Sequence, residues 1–138
     1  MANYLLDTNH ASPLVTLSHP LRKLVLQRLD AGDNFFICVP AITETLFGIG
    51  MLPRANQNLA EWERLKPVLP CYIPIETDAE LAAELQRSLR RRGWQLETVD
   101  ALIAVIALRY DLILLTTDKD FRGVPNLKHT SWLTDSLI

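Results

Sequence analysis

The sequence contains few cysteines and no apolar run that approaches the roughly 20 residues a membrane-spanning helix needs. Its two cysteines, Cys38 and Cys71, lie in or beside apolar segments and form no Cys-x-x-Cys pair. We therefore expect both thiols to be small core side chains of a protein in the reducing cytoplasm. The first residues show no basic stretch followed by an apolar one, so we expect no signal peptide.

Charge of one sign is not in excess either. The 14 Lys and Arg residues nearly balance the 16 Asp and Glu residues, which gives a formal net charge of -2. No overall basic field attracts nucleic acid, so any such contact must come from a local basic patch. Hydrophobic residues make up 49% and charged residues 22% of the 138 residues, as expected for a single globular domain over residues 1–138.

Apolar runs and helical patterns alternate along the chain. Short apolar runs predict strands, and apolar residues at helical spacing predict helices. The predicted strands are residues 4–6, 35–39, 72–75, 112–116 and 127–130, and the predicted helices are residues 20–30, 42–50, 55–65, 77–91 and 98–108. Thr77 and Thr98 are the expected N-caps of the last two helices. The alternation favours an α/β domain with a mostly parallel sheet and helices on both faces.

Four carboxylates stand where predicted strands end or predicted helices begin. Asp7 and Asp118 follow strands, whereas Glu44 and Asp100 lie in the first turns of helices. Sites in parallel sheets form at the carboxyl ends of the strands, and helix N-termini favour negative charge, so we expect all four to converge. Burying carboxylates without partners is costly, and Lys and Arg are scarce in these segments. A divalent metal ion is therefore the expected counter-charge.

A metal ion held by carboxylates indicates metal-assisted phosphodiester cleavage. Mg²⁺ and Mn²⁺ prefer carboxylate oxygens, and a bound ion can activate a water and stabilise a leaving alkoxide. We expect Asp7, Glu44 and Asp100 to be direct ligands. Asp118 is expected to be a fourth ligand or part of a second metal site. Asp120 is expected either to hold a water beside the metal or only to cap the turn that follows it. The carboxylate count leaves both one and two metal ions open.

These residues and their order resemble the PIN domain family. The matching motifs are Leu6-Asp7-Thr8-Asn9, Thr43-Glu44-Thr45-Leu46-Phe47-Gly48, Asp100-Ala-Leu-Ile-Ala and Thr116-Thr-Asp118-Lys-Asp120-Phe. The resemblance covers essentially the whole chain, and the length suits a stand-alone PIN domain. A small residue usually follows Ile-Ala in the third motif. Val105 stands there instead, a change from which we infer no loss of activity.

The resemblance implies a three-layer α/β/α sandwich with a parallel sheet, and an endoribonuclease that depends on Mg²⁺ or Mn²⁺. Carried onto this chain, the acidic tetrad of the family is Asp7, Glu44, Asp100 and Asp118. Thr8 and Thr116 would be hydroxyl groups near the site. Small proteins of this kind look like the VapC toxins of toxin–antitoxin modules. That likeness implies a homodimer and inhibition by a VapB-type antitoxin, which often places a basic side chain in the acidic pocket.

The densest basic cluster precedes the third motif. It consists of Arg90, Arg91 and Arg92, and Trp94 follows it. One interpretation makes the three arginines phosphate contacts for RNA and Trp94 a surface on which a base stacks. The alternative interpretation is a solvated helix end whose positive charge complements the helix dipole.

Apolar residues also continue after the second motif. Those expected to pack in the core are Leu46, Phe47, Ile49, Met51 and Leu52. The alternative is that some of them form a groove for an antitoxin helix, together with the apolar stripe at residues 59, 62 and 65. His10 is expected to be a capping or surface histidine rather than a ligand, and Trp62 is expected to pack in the core.

Other functions fit parts of the pattern. A haloacid-dehalogenase-like phosphohydrolase also carries an Asp after its first strand. It needs a second acid where Asn9 stands, and Lys119 is a poor substitute for its later lysine. A single-domain PIN nuclease in RNA processing would carry the same tetrad. A non-catalytic PIN binding module is the alternative from another class, and the complete tetrad argues against it.

Overall fold

In the computed structural model, which describes residues 1–133, five parallel strands form one sheet in the order β3-β2-β1-β4-β5. The strands are β1 (Asn3–Leu6), β2 (Asn34–Cys38), β3 (Cys71–Tyr72), β4 (Ile113–Leu115) and β5 (His129–Thr130). The helices are α1 (Thr8–Ala11), α2 (Pro20–Asp30), α3 (Val39–Gly50), α4 (Ala55–Leu65), α5 (Glu76–Arg91) and α6 (Thr98–Arg109), with 3-10 turns at Ser12–Val15, Lys66–Val68 and Lys119–Gly123. The predicted α/β sandwich is confirmed, with a sheet that is parallel throughout.

The central strand β1 forms the middle of the core. Leu5 lies opposite Phe36 of β2 on one side and opposite Leu114 of β4 on the other. Leu5, Leu6 and Leu114 are fully buried. A parallel strand with helices on both faces needs apolar side chains on both faces. This is why β1 and β4 are continuous apolar runs in the sequence rather than alternating ones.

The strand order reverses between β1 and β4. The chain runs from β1 outward to β2 and β3, then returns to β4 on the opposite side of β1. The segments that follow two such strands diverge and leave a crevice at the carboxyl edge of the sheet. The backbone N–H of Asp7 donates to the carbonyl of Leu115 at 3.0 Å and joins the two strand ends there. Residues that follow β1 and β4 therefore border this crevice.

The helix that carries Glu44 begins earlier than predicted. α3 starts at Val39 with Pro40 in its first turn, so Glu44 lies in the second turn and the prediction of a first-turn acid was wrong. Proline is tolerated at the start of a helix because the N–H groups of the first turn have no partner within the helix. Val39, the last residue of the predicted strand 35–39, is thus the first residue of the helix.

The N-caps of α5 and α6 also differ from the prediction. The carboxylate of Asp78 accepts the N–H of Ile75, the residue before α5, at 2.9 Å, so Thr77 is not the cap. Glu97 occupies the N-cap position of α6 instead of Thr98. Each prediction was wrong by one or two residues, which is the usual uncertainty of helix ends read from sequence.

The two cysteines lie in different environments. Cys38 at the end of β2 is buried, as expected, whereas Cys71 on β3 is exposed, so the expectation of two core thiols was wrong for Cys71. The reason is that β3 has only two residues and lies at the edge of the sheet. None of the helices within residues 1–133 combines the length and the apolar character that crossing a membrane requires.

Candidate metal centre at the carboxyl edge of the sheet

Asp7 directly follows β1 and is the N-cap of α1. Its Oδ1 accepts the N–H of Thr8 at 2.9 Å. Its Oδ2 accepts the hydroxyl of Thr116 at 2.6 Å and the side-chain amide of Asn9 at 3.1 Å. The residue is only 5% exposed. The carboxylate is thus held by three neutral donors, none of which cancels its charge.

Asn9 links the ends of β1 and β4. Its amide nitrogen donates to Asp7 and to the hydroxyl of Thr116 at 3.3 Å, and its Oδ1 accepts the N–H of Thr117 at 3.1 Å. The sequence pattern assigned Asn9 no role in linking the strand ends, because these partners lie 107 and 108 residues away. The one available signal was an amide side chain two positions after the acid that ends a buried strand.

Glu44 lies on the exposed side of α3 and reaches the same edge of the sheet. Its Oε1 accepts the hydroxyl of Thr8 at 3.2 Å. Thr8 therefore bridges two acids, since its backbone N–H binds Asp7 and its hydroxyl binds Glu44. The hydroxyls of Thr8 and Thr116 both lie on acids of this edge, while their role in a reaction stays a prediction.

Three other carboxylates form the closest group. Oxygens of Asp100, Asp118 and Asp120 all lie within 4.8 Å of one another. Asp100 lies in the first turn of α6, as predicted. Asp118 caps the turn Lys119–Gly123 by accepting the N–H of Asp120 at 2.8 Å, so the idea that Asp120 caps this turn was wrong. The carboxylate of Asp120 lies within 4.8 Å of the two other acids instead, while the expectation that it holds a water beside a metal stays a prediction.

Burial and neighbouring acids raise the pKa values of two of these residues, Asp100 and Asp7. Burial, followed by the charges of neighbouring carboxylates, raises the pKa of Asp100 to about 7. The neighbours that contribute are Asp7, Asp118, Glu44 and Asp120. Burial is also the main cause that raises the pKa of Asp7, and the charge of Asp118 adds to it. Crowded carboxylates make their charged forms costly, and a bound cation would relieve that cost.

Buried acids elsewhere in the molecule are neutralised by arginine. These pairs are Asp33 with Arg28 at 2.7 Å, Asp78 with Arg109 at 2.8 Å, and Glu61 with Arg22 at 2.8 Å and Arg64 at 2.7 Å. No ion pair within residues 1–133 involves any of the five acids at the carboxyl edge. A set of oxygen donors only, rich in negative charge and without a cationic side chain, fits a hard divalent ion such as Mg²⁺ or Mn²⁺.

His10 is buried and forms a hydrogen bond with Asn9 at this edge of the sheet. Its Nε2 accepts the backbone N–H of Trp132 at 3.0 Å, so the ring proton lies on Nδ1, which donates to Oδ1 of Asn9 at 2.7 Å. Burial lowers the pKa of His10 to about 4, which keeps the ring neutral. The expectation of a capping or surface histidine was wrong, because the ring is buried and both of its nitrogens have hydrogen-bond partners within the fold. His10 orients Asn9 instead of facing a metal.

The basic cluster borders the three clustered carboxylates. Arg90 and Arg91 are exposed in the last turn of α5. The guanidinium of Arg92 donates to the carbonyl of Gly123 at 3.4 Å, and the indole N–H of Trp94 donates to the carbonyl of Asp120 at 2.7 Å. The helix end that carries the arginines is thus attached to the turn that carries Asp120. Their contact with RNA stays a prediction.

The apolar face after the second motif is largely exposed. Phe47 is 59%, Met51 75% and Leu52 54% exposed, and Leu46 is also exposed, so core packing was wrong for these four and right for Ile49. A helix over a sheet buries one side only, and the buried positions of α3 are residues 41, 45 and 49. A cavity of about 500 Å³ opens on this face and is lined by Thr43, Glu44, Phe47, Gly48 and Met51.

The fold and the acidic edge define an α/β domain whose candidate site lies at the switch point of a parallel sheet. The chain belongs to the PIN domain family, because the profile of that family matches residues 4–127. No curated protein sequence matches the chain.

Several solved structures share the fold at low sequence identity. A chain of VapBC2 from Rickettsia felis, solved bound to a DNA fragment from the promoter, matches with a TM-score of 0.81 and 22% identity over 95% of this chain and 99% of that chain. A chain of DNA-bound VapBC from Salmonella typhimurium matches with a TM-score of 0.79 and 21% identity over 96% of this chain and 100% of that chain. VapC20 from Mycobacterium tuberculosis, a toxin that cleaves the sarcin-ricin loop, matches with a TM-score of 0.64 and 18% identity over 87% of this chain and 93% of that chain.

Proposed function

We propose that this PIN domain is a Mg²⁺- or Mn²⁺-dependent endoribonuclease and the toxin of a VapBC-type toxin–antitoxin pair in the cytoplasm. One observation carries the proposal. Five carboxylates meet at the carboxyl edge of the sheet, and no ion pair within residues 1–133 compensates them, whereas the other buried acids of these residues, Asp33, Glu61 and Asp78, each pair with an arginine.

Separate roles in holding a cation are proposed for the residues of this edge. Asp7, Glu44, Asp100 and Asp118 are the proposed ligands, and Asp120 is proposed to hold a water beside them; the proximity of these acids supports the assignment. A cation held by these residues would supply an activated water and would stabilise the oxygen that leaves the phosphorus. Thr116 and Asn9 keep the carboxylate of Asp7 in one orientation through their hydrogen bonds. Asp100 must lose its proton to bind, because its pKa is about 7 in the metal-free protein.

An antitoxin contact is proposed on the exposed face of α3. Phe47 and Met51 line an apolar cavity that also includes Glu44, so a helix packed on these side chains would lie beside the acids. A basic side chain of that helix could then reach the carboxylates. This is the mode of inhibition that the resemblance to the VapC toxins implies. The solved relatives named as VapBC support such a partner. Replacing Phe47 and Met51 together by serine should weaken the complex with the product of a small neighbouring reading frame.

A homodimer is also part of the proposal, as the family resemblance implies. Sedimentation of the purified chain tests it directly, and a monomer at micromolar concentration would contradict it. A second candidate function is RNA processing by a stand-alone PIN nuclease, which shares the same centre and differs only in lacking an antitoxin. A third is a binding module without catalysis.

The test of the proposed function is cleavage of total RNA by the purified protein with Mg²⁺, with Mn²⁺ and with EDTA. Metal-dependent cutting should disappear in Asp7→Asn and persist in the control Asp111→Asn. Asp111 is an exposed acid that pairs with Lys128 at 2.8 Å. No cutting by a preparation free of any small second chain would favour the binding module.

A further inference from the structure

A second cavity opens beside the clustered carboxylates. It measures about 460 Å³ and is lined by Gly93, Trp94, Gln95, Glu97 and Asp120. This volume lies within the range of about 300–1,000 Å³ that small ligands occupy in proteins. Asp120 belongs both to this cavity and to the carboxylate group with Asp100 and Asp118. A group bound in the cavity therefore lies next to the proposed metal centre.

The aromatic wall of this cavity is fixed in place. The indole N–H of Trp94 donates to the carbonyl of Asp120 at 2.7 Å. The ring lies so close to Gly123 that a Cβ there would come within 2.6 Å of the indole carbon Cε2. Trp94 is nevertheless 38% exposed. A large aromatic side chain that is held at one edge and open to solvent offers a preordered stacking surface at little entropic cost.

The polar lining of the cavity favours a ligand that donates hydrogen bonds. Two of the lining residues, Glu97 and Asp120, carry carboxylate oxygens, which accept hydrogen bonds, whereas the amide of Gln95 can also donate. Adenine, cytosine and guanine each carry an exocyclic amino group on the Watson–Crick edge, which proteins read in unpaired RNA. Uracil presents one N–H between two carbonyl groups and would place an acceptor against a carboxylate.

We infer that this cavity binds one unpaired base next to the cleaved phosphodiester. The base stacks on Trp94 and donates a hydrogen bond to Glu97, so the cavity selects bases that carry an amino group. This specificity site rests on the proposed ribonuclease function. The exposed Arg91 and Arg92, on the adjoining end of α5, are placed to contact the phosphates of the same strand.

The first experiment reads the cleavage preference. A pool of short RNAs of random sequence is cut by the wild type, Trp94→Ala, Glu97→Gln and the control Glu84→Gln, and the new ends are sequenced. Glu84 is an exposed glutamate on α5 outside the cavity. The wild type should disfavour uridine roughly 10-fold at one position beside the cut, a ratio typical of one specific base contact.

Each variant has a separate expected result. Glu97→Gln should reduce the discrimination against uridine to less than about 3-fold, because glutamine can donate as well as accept. Trp94→Ala should lower kcat/KM roughly 10-fold for every base through lost stacking. Trp94→Phe keeps an aromatic wall without the N–H and should retain the preference. Cutting by Glu97→Gln with the unchanged wild-type preference would overturn the specificity site and leave the ribonuclease standing.

The second experiment does not need cleavage. Tryptophan fluorescence is titrated in EDTA with adenosine, cytidine and uridine, which carry no phosphate for the acids to repel. Adenosine and cytidine should quench the emission at lower concentration than uridine, and Trp94→Phe should remove the response, although Trp62 and Trp132 remain. Equal quenching by all three nucleosides, or none, would contradict the selection of a base here. This holds even if the wild type cuts no RNA.

Discussion

Two acids occupy the same position in neighbouring helices and have opposite surroundings. Asp78 lies in the first turn of α5 and Asp100 in the first turn of α6. Asp78 is fully buried and accepts two hydrogen bonds from the guanidinium of Arg109, at 2.9 and 2.8 Å. Asp100 is partly buried among other carboxylates, and its pKa rises to about 7. One acid is neutralised by the chain, and the other is left uncompensated.

The comparison shows how a structural acid can be told from a functional one. Both positions gain from the helix dipole, so helix geometry alone does not separate them. The difference lies in the far end of α6, where Arg109 turns toward Asp78 and no cationic side chain of the described residues forms an ion pair with Asp100. Leaving several carboxylates together without a cation costs stability, and a fold keeps such a cluster where an ion from solution completes it.

The largest effect is expected from removing the uncompensated charge. Asp100→Asn keeps the shape of the side chain and should lower RNA cleavage by at least about 10²- to 10³-fold, because a proposed metal ligand is lost. Steady-state cleavage of a defined RNA measures the effect. Asp111→Asn is the matched control and should stay close to wild type, since Asp111 is exposed and has a φ of 52°, which asparagine adopts readily. Wild-type cleavage by Asp100→Asn would remove this residue from the centre.

Breaking the compensated pair should affect folding instead of cleavage. Arg109→Ala leaves Asp78 buried without its partner and should lower the free energy of unfolding by about 3 kcal/mol. The cation–π contact of Arg109 with Tyr110, with 5.0 Å to the ring centroid, is lost as well. Urea denaturation measures the change, and Lys128→Ala, which breaks an exposed pair, should cost less than about 1 kcal/mol. Equal losses in both variants would show that the buried pair contributes no more to the free energy of unfolding than the exposed pair does.

The metal-free protein should lose stability as the pH rises. The folded-state pKa of Asp100, about 7, lies above the ordinary value of 3.8. The folded protein therefore holds this proton more tightly than the unfolded chain, and stability present below pH 4 is lost between pH 4 and 7. The loss should amount to about 1–2 kcal/mol after solvent screening.

Denaturation in EDTA across this pH range, compared with Asp100→Asn, measures that contribution. The difference in stability between the two proteins should shift in favour of the variant as the pH rises, because asparagine does not titrate. A constant difference from pH 4 to 8 would mean that neither burial nor the neighbouring carboxylates raise the pKa of Asp100.

The smallest effect is expected at the basic cluster. Arg91→Ala should weaken RNA binding several-fold and reduce the slope of log K against log salt by about 1, because one phosphate contact is lost. Binding of an RNA oligonucleotide at several salt concentrations gives the slope. An unchanged slope would make Arg91 a solvated helix end without contact to RNA.

Much of the fold follows from local patterns in the sequence. The continuous apolar runs of β1 and β4 identified buried parallel strands, and helical spacing gave the bounds of α2 and α4 as the structure has them. The errors were local as well. The helix that carries Glu44 was predicted to begin at residue 42, although Pro40 lies in its first turn and proline is favoured at the start of a helix. Hydrophobicity could not separate a core residue from an exposed one such as Phe47 or Cys71.

The candidate site was predictable as a set of acids and not as a geometry. Sequence context selected Asp7, Glu44, Asp100 and Asp118 because acids seldom interrupt buried segments. The hydrogen bonds of Asn9 to residues beyond position 115 depend on which strands are neighbours, and one sequence does not reveal this. The pairing of Asp78 with Arg109, 31 residues apart, was missed for the same reason. Both require the packing of elements that are distant along the chain.

The most direct test of the uncompensated centre is a calorimetric titration of the metal-free protein with Mn²⁺ near pH 7. The wild type should bind the ion saturably and release protons, because Asp100 is partly protonated at this pH. Asp111→Asn should behave in the same way, and Asp100→Asn should lose the binding. No saturable binding by the wild type, or equal binding by Asp100→Asn, would contradict the account.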